Sequence, residues 1–198
     1  KAILQSSDYD IGFAQDADAD RLVILDETGR FIGEDYSLGL CVDYVLSREA
    51  EEKSEVVVNL STSMLLTDIA TKYKASVVHT KIGETHVTQA IKERSALVGG
   101  EGNGGVIYPK IGWGRDSLVG ITLALAYLAE SKQSVSEIVS SYKQYHMIRD
   151  KIALNSRDEL TPMLDQLKRT FQKETQDHQD GVKIILDHAW IHVRPSNT

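Results

Sequence analysis

The chain has 198 residues, 41% hydrophobic and 26% charged, which is enough apolar material to bury a core in one domain or two small ones. Lys and Arg number 22 against 29 Asp and Glu, a formal charge of −7 with no basic stripe, which argues against nucleic acid and acidic membranes as partners. The lone Cys41 excludes an internal disulfide, lies in an apolar helical stretch as buried filler, and fits a reducing cytoplasm.

In chain order, residues 21–33 (RLVILDETGRFIG) read as a β-hairpin around an Asp26–Gly29 turn. A helix is predicted over 34–48, a strand at 56–60, and a helix capped by Ser61 or Thr62 that runs to about Tyr73. A strand at 75–79 leads through TKIGET to a helix ending near Arg94, where His86 reads as a surface residue. A strand at 96–101 runs into a glycine-rich loop, and residues 106–108 continue extended. A long helix over 116–131 carries Leu118, Ile121, Leu125 and Leu128 along one face. Ser134 and Glu137 form a capping-box pattern that opens a helix to about Tyr145. Beyond it we expect a strand near 146–154, a helix near 158–174, a solvated loop at 173–181 and strands in KIILD and AWIHV. The β/α alternation over about 34–130 argues for a layered α/β domain with a mixed, largely parallel sheet, followed by a partial small α+β domain. No segment reads as a signal peptide or is long and apolar enough to span a bilayer. The absence of an initial Met and the stop at Asn197-Thr198 read as cuts through a longer polypeptide.

Three short motifs carry chemistry. In DADADR, alternation would place Asp16, Asp18 and Asp20 on one side of an extended segment. Two carboxylates about 4 Å apart repel by roughly 1 kcal/mol in water and about 4 kcal/mol at an effective dielectric near 20, so three together call for a cation. All-oxygen ligation suits a hard ion, and Mg²⁺ suits a site that also meets phosphate. The same aspartates with Glu27 match the acidic positions of an EF-hand loop, but Arg21 stands where glycine is required and RLVILD is strand-like, so that reading fails. A solvated acidic loop is the bland alternative. In GGEGNGG at 99–105, Glu101 and Asn103 offer paired acceptor and donor groups suited to sugar hydroxyls, although such loops are more often simple tight turns. RPSNT at 194–198 gathers a guanidinium, two hydroxyls and an amide into a phosphate cradle, or into an ordinary polar turn.

The order of DADADR, TKIG at 80–83, GEGNGG and RPSNT resembles the signature of the α-D-phosphohexomutases of the phosphoglucomutase/phosphomannomutase type. Those enzymes carry a metal loop DGDxDR, a sugar loop GExSGH and a phosphate loop RxSNTEP. The resemblance covers nearly the whole chain. It implies the end of a second domain over 1–33, a third domain over 34–142 and part of a fourth over 143–198. It implies Mg²⁺ on Asp16, Asp18 and Asp20, with Arg21 beside a phosphoserine and Lys81 near the reacting end of the substrate. Glu101 and Asn103 would contact the sugar, and Arg194, Ser196, Asn197 and Thr198 the non-reacting phosphate. The implied reaction interconverts hexose 1-phosphate and hexose 6-phosphate through a bisphosphate, with hexose 1,6-bisphosphate as primer, in the cytoplasm. Glucose and mannose phosphates are the first expectation and glucosamine phosphate the second. Ala17 and Gly105 depart from the family's Gly and His, so no histidine role carries over to position 105. The family's serine motif, similar to TASHNP, has no counterpart, since Ser6-Ser7 and Ser61–Ser63 lack its context. The chain alone is therefore expected to be inactive and to need the amino-terminal domains of the same polypeptide. A non-catalytic sugar-phosphate-binding module stays open as a second class, and a phosphatase using the acidic loop is weaker, for want of a nucleophilic aspartate after a buried strand.

Overall fold

The computed structural model describes residues 9–195, which divide into one compact unit through Tyr145 and another from His146. The first unit opens with strands β1 (Gly12–Gln15) and β2 (Leu22–Leu25), paired antiparallel with Gln15 opposite Leu22. The anticipated hairpin over 21–33 forms in reduced form, with Asp26 N–H donating to Arg30 O and Ile32 N–H to Ile24 O. The Asp26–Gly29 turn forms, with the Asp26 carboxylate accepting from Thr28 and from the Arg30 N–H, but its far side makes a single bridge, Leu25 to Phe31. The main partner of β2 lies upstream, in GFAQ, whose four residues are too few for alternation to reveal.

A four-stranded mixed sheet forms the body, in the order β4-β3-β5-β6. Its strands are β3 (Glu55–Asn59), β4 (Ser76–Thr80), β5 (Val98–Glu101) and β6 (Gly105–Ile107). β3 runs parallel to β4 and β5, whereas β6 returns antiparallel to β5. Val56, Val58 and Val98 join the larger core with helices α1 (Glu34–Glu49), α2 (Leu65–Lys72) and α4 (Ser117–Ser131). Val57 and Ile107 face the other way, onto Val87 and Ile91 of α3 (Glu84–Arg94). A sheet covered on both faces needs valine at successive positions, as VVV in β3 provides.

α2 starts later than Ser61 or Thr62 would place it. The Asn59 amide oxygen holds Ser61 N–H and the Thr62 hydroxyl in a turn, and Ser63 accepts from Leu65 N–H. α4 also differs from expectation: Leu118 and Leu125 are exposed, and the buried face is Ser117, Gly120, Leu123 and Ala124. α4 is apolar almost all round, so periodicity could not choose its inward face. Small residues do, because α4 packs on α1 and β6. The Ser134 capping box forms, but α5 (Val135–Ser140) ends early. Tyr142 turns inward to the carboxylate of Asp43, and Tyr145 N–H donates to the Tyr36 hydroxyl at 2.8 Å. Cys41 is buried as filler, and burial pushes its thiol up to about 12.

The second unit has a one-turn 3₁₀ helix (Arg157–Glu159), α6 (Leu160–Thr170) and a three-stranded antiparallel sheet of β7 (Thr175–Asp177), β8 (Val182–Ile185) and β9 (Trp190–Val193). The strand expected at 146–154 does not form, and Ile148 and Ile152 are exposed. Conversely β7 lies where a solvated loop was expected. Its polar TQD is held by pairing with β8 and by Gln176, whose amide donates to the carbonyls of Lys168 and Phe171. No helix among the described residues is long and apolar enough to cross a membrane.

Candidate functional site

Asp16 leaves β1 and Asp20 enters β2, so the turn between the two strands decides where the three aspartates go. The segment is a tight turn and not extended as alternation suggested: Ala19 N–H donates to Asp16 O, and Ala19 adopts a left-handed φ of 57°. Ala17 is not among the described positive-φ residues, which explains why alanine is tolerated there. The turn brings one carboxylate oxygen from each of Asp16, Asp18 and Asp20 within 4.8 Å of one another. Arg21 N–H donates to Asp16 Oδ1 at 3.2 Å, and Arg21 Nε lies 3.4 Å from Asp16 Oδ2 and 3.5 Å from Asp20 Oδ1. Burial pushes the Asp20 carboxyl above the usual aspartate range, against the pull of Arg115 and with the push of Asp16 and Asp18. The Asp16 carboxyl shifts downward; partial desolvation opposes this, but hydrogen bonding from Arg21 N–H and Asp20 and the Arg21 charge outweigh it.

The glycine-rich loop closes from β5 into β6. Glu101, 4% exposed, is fixed on both oxygens: Oε1 accepts from Asn59 Nδ2 at 2.7 Å and Gly83 N–H at 3.0 Å, and Oε2 from Arg115 at 2.6 Å. A carboxylate offers about four acceptor directions, so roughly one remains for a ligand hydroxyl. Asn103 is half-buried and its Oδ1 accepts from Gly105 N–H at 3.2 Å. Lys81 is exposed ahead of Gly83, and His86 is exposed in the first turn of α3.

Arg115, just ahead of the α4 cap Asp116, joins the two loops. Its guanidinium pairs with Asp20 Oδ2, with Glu84 Oε2 at 3.1 Å and with Glu101 Oε2 at 2.6 Å. Neither Arg115 nor Glu84 nor Asn59 was legible as a site residue, because each is a single residue without a motif, brought in by tertiary folding. Gly105 is required by this arrangement: a Cβ there would lie 2.4 Å from Arg115 Cδ. Arg115 thus fills the room into which a side chain at position 105 would point.

Among the described residues the ion pairs of Asp16, Asp20, Glu84 and Glu101 are with Arg21 and Arg115, so with Asp18 the cluster keeps an excess of negative charge. Asp20 Oδ1 is buried and, among the described residues, accepts no hydrogen bond, with Arg21 Nε within ion-pair range at 3.5 Å. An all-oxygen set with a buried, unsatisfied acceptor fits a hard divalent cation. In the second unit, Arg194 follows β9 and its Nη1 donates to Pro195 O at 3.2 Å. Ser196, Asn197 and Thr198 lie outside the described residues.

The profile of phosphoglucomutase/phosphomannomutase alpha/beta/alpha domain III matches residues 33–145, more than half of the chain. A phosphoglucomutase/phosphomannomutase of Thermococcus kodakarensis is 36% identical over 99% of this chain and 42% of its own length. A probable phosphoglucosamine mutase of Methanopyrus kandleri is 34% identical over 98% of this chain and 43% of its own. The crystal structure of a phosphoglucomutase/phosphomannomutase family protein from Burkholderia thailandensis superposes with a TM-score of 0.78 at 22% identity, covering 99% of this chain and 42% of that one. The chain therefore spans less than half the length of these relatives. With a matching domain III profile and relatives above 30% identity along nearly its whole length, the chain belongs to the phosphoglucomutase/phosphomannomutase family.

Proposed function

We propose that this chain is the cation-, sugar- and phosphate-binding part of a phosphohexomutase that interconverts hexose 1-phosphate and hexose 6-phosphate through a phosphoserine and a bisphosphate. The observation that carries this reading is the turn that converges Asp16, Asp18 and Asp20 and is tied through Arg115 to Glu101 of the glycine-rich loop. Residues 1–33 end one domain, 34–142 form the next and 143–198 part of another. The serine that carries the phosphoryl group lies outside this chain, which is inactive alone.

Phosphoryl transfer demands positioning and charge neutralisation more than covalent help from the protein. Asp16, Asp18 and Asp20 would hold Mg²⁺, which when bound supplies Lewis-acid polarisation of phosphoryl oxygens. Arg21, beside this turn, offers a donor to the same phosphoryl group, and Lys81 a second positive charge. Glu101, held rigid on three sides, presents its remaining acceptor direction to a ring hydroxyl, while Asn103 supplies amide donors. Arg194, with Ser196, Asn197 and Thr198, binds the phosphate that does not react.

A coupled mutase assay of the full-length protein, with Mg²⁺ and glucose 1,6-bisphosphate as primer, tests the reading on glucose, mannose and glucosamine 1-phosphates. Turnover of glucose or mannose 1-phosphate is expected. The likeness to the Methanopyrus kandleri protein favours glucosamine 1-phosphate as the second reading. Silence on all three, with binding of hexose phosphate in a calorimeter, would replace the mutase with a non-catalytic binding module.

A further inference from the structure

Arg115 stands between the two halves of the site. Its side chain is 11% exposed and meets three carboxylates from separate segments: Asp20 of the β1–β2 turn, Glu84 of the first turn of α3, and Glu101 at the end of β5. Its own N–H also donates to Glu84 Oε1 at 3.3 Å. The planar guanidinium has five donors in a fixed fork, so it can hold several carboxylates in one geometry, which a lysine ammonium cannot reproduce. On Asp20 it takes Oδ2, while Oδ1 stays buried without a hydrogen bond among the described residues. The backbone is shaped to admit it, since Gly105 leaves the space that its Cδ occupies.

We infer that Arg115 is a positioning residue: by pinning Asp20 Oδ2 and Glu101 Oε2 together it presents Asp20 Oδ1 to a divalent cation and sets the cation loop in register with the sugar loop. This rests on the proposed reading of the aspartate turn as a cation site. It runs against simple charge arithmetic, in which a guanidinium beside a cation site repels the cation and its removal tightens binding.

The test is calorimetric titration of the purified full-length protein with Mg²⁺ alone, supported by Mn²⁺ electron paramagnetic resonance, on wild type, Arg115→Lys, Arg115→Met and Gly105→Ala. Arg115→Lys keeps the charge and loses the fork, and is expected to weaken cation binding about 10–100-fold, the range for residues that orient metal ligands. Arg115→Met is expected to weaken binding as well. Gly105→Ala leaves the arginine chemically intact but crowds its stem, and is expected to weaken binding in the same direction. A merely structural arginine would lower the thermal midpoint and leave the cation Kd unchanged. Should Arg115→Lys or Arg115→Met not fold, Gly105→Ala decides. Unchanged Kd in the folded variants, or tighter binding by Arg115→Met, would overturn the positioning role while the cation site stands. No binding by wild type would remove the cation site itself, and the positioning role with it.

Discussion

Asp43 of α1 is fully buried, and four groups converge on it. Oδ1 accepts from the Tyr73 hydroxyl at 2.7 Å and from Lys72 Nζ at 3.2 Å; Oδ2 accepts from the hydroxyls of Tyr127 at 2.6 Å and Tyr142 at 2.8 Å. One carboxylate thereby ties α1 to the end of α2, to α4 and to the segment after α5. Asp43→Ala leaves the buried Tyr142 hydroxyl without its acceptor, at about 1–3 kcal/mol. It also strips acceptors from Tyr73 and Tyr127, which are only partly buried and recover some hydration. Lys72 is 59% exposed, so its ion pair adds only about 0–1 kcal/mol. The expected loss is about 3–5 kcal/mol, as for removal of one partner from a buried charged network. Asp43→Asn keeps the shape and one acceptor oxygen, and hydroxyls can reverse to accept from its amide, so about 1–2 kcal/mol is expected. Urea unfolding followed by circular dichroism, with unchanged m-value as the control for two-state behaviour, measures both. A loss below about 1 kcal/mol for alanine, or equal losses for alanine and asparagine, would refute the network argument. The tyrosines give an independent check. Burial, reinforced by Asp43, raises the phenols of Tyr73, Tyr127 and Tyr142 above their ordinary value. Their contribution is fully present below the unfolded value near 10 and is lost as pH climbs above it, so stability should fall there together with the absorbance change of phenolate formation.

In the second unit, Lys183 is 4% exposed, its Nζ stands 4.8 Å over the Trp190 ring, and burial lowers its ammonium from 10.5 to about 8. Below about 8 the lysine is charged in both states and the burial cost is fully felt; between about 8 and 10.5 the unfolded chain binds the extra proton and stability rises with pH. Lys183→Met should abolish that rise, followed by Trp190 fluorescence, and stabilise the unit at neutral pH by up to roughly 3 kcal/mol before the lost cation–π contact is counted. Cys41, 1% exposed with its thiol pushed up to about 12, should resist a disulfide reagent in the native protein and react fully in guanidinium chloride; fast native labelling would contradict its burial. Ser134→Ala removes the side chain that accepts from Glu137 N–H at 3.3 Å, and should cost about 1 kcal/mol in the same urea experiment.

Most of the secondary structure of the first unit, and all three aspartates of the acidic turn, were legible in local residue patterns. They were so because valine runs, capping patterns and motif order are local properties. VVV announces a sheet strand buried on both faces, and Ser134 with Glu137 announces a helix start, whatever surrounds them. Tertiary structure alone decided what depends on partners distant in the chain. The strand that pairs with β2, the buried face of the all-apolar α4, the early end of α5 at Tyr142, and the pairing of polar β7 are settled by neighbours in space. The same holds for the site. Asp20 and Glu101 stood out by motif, but Arg115, 95 residues from Asp20, reaches both only when the sheet and α4 are assembled. Arg115 is held nearly buried because three carboxylates from separate segments meet it, and that meeting is a property of the fold.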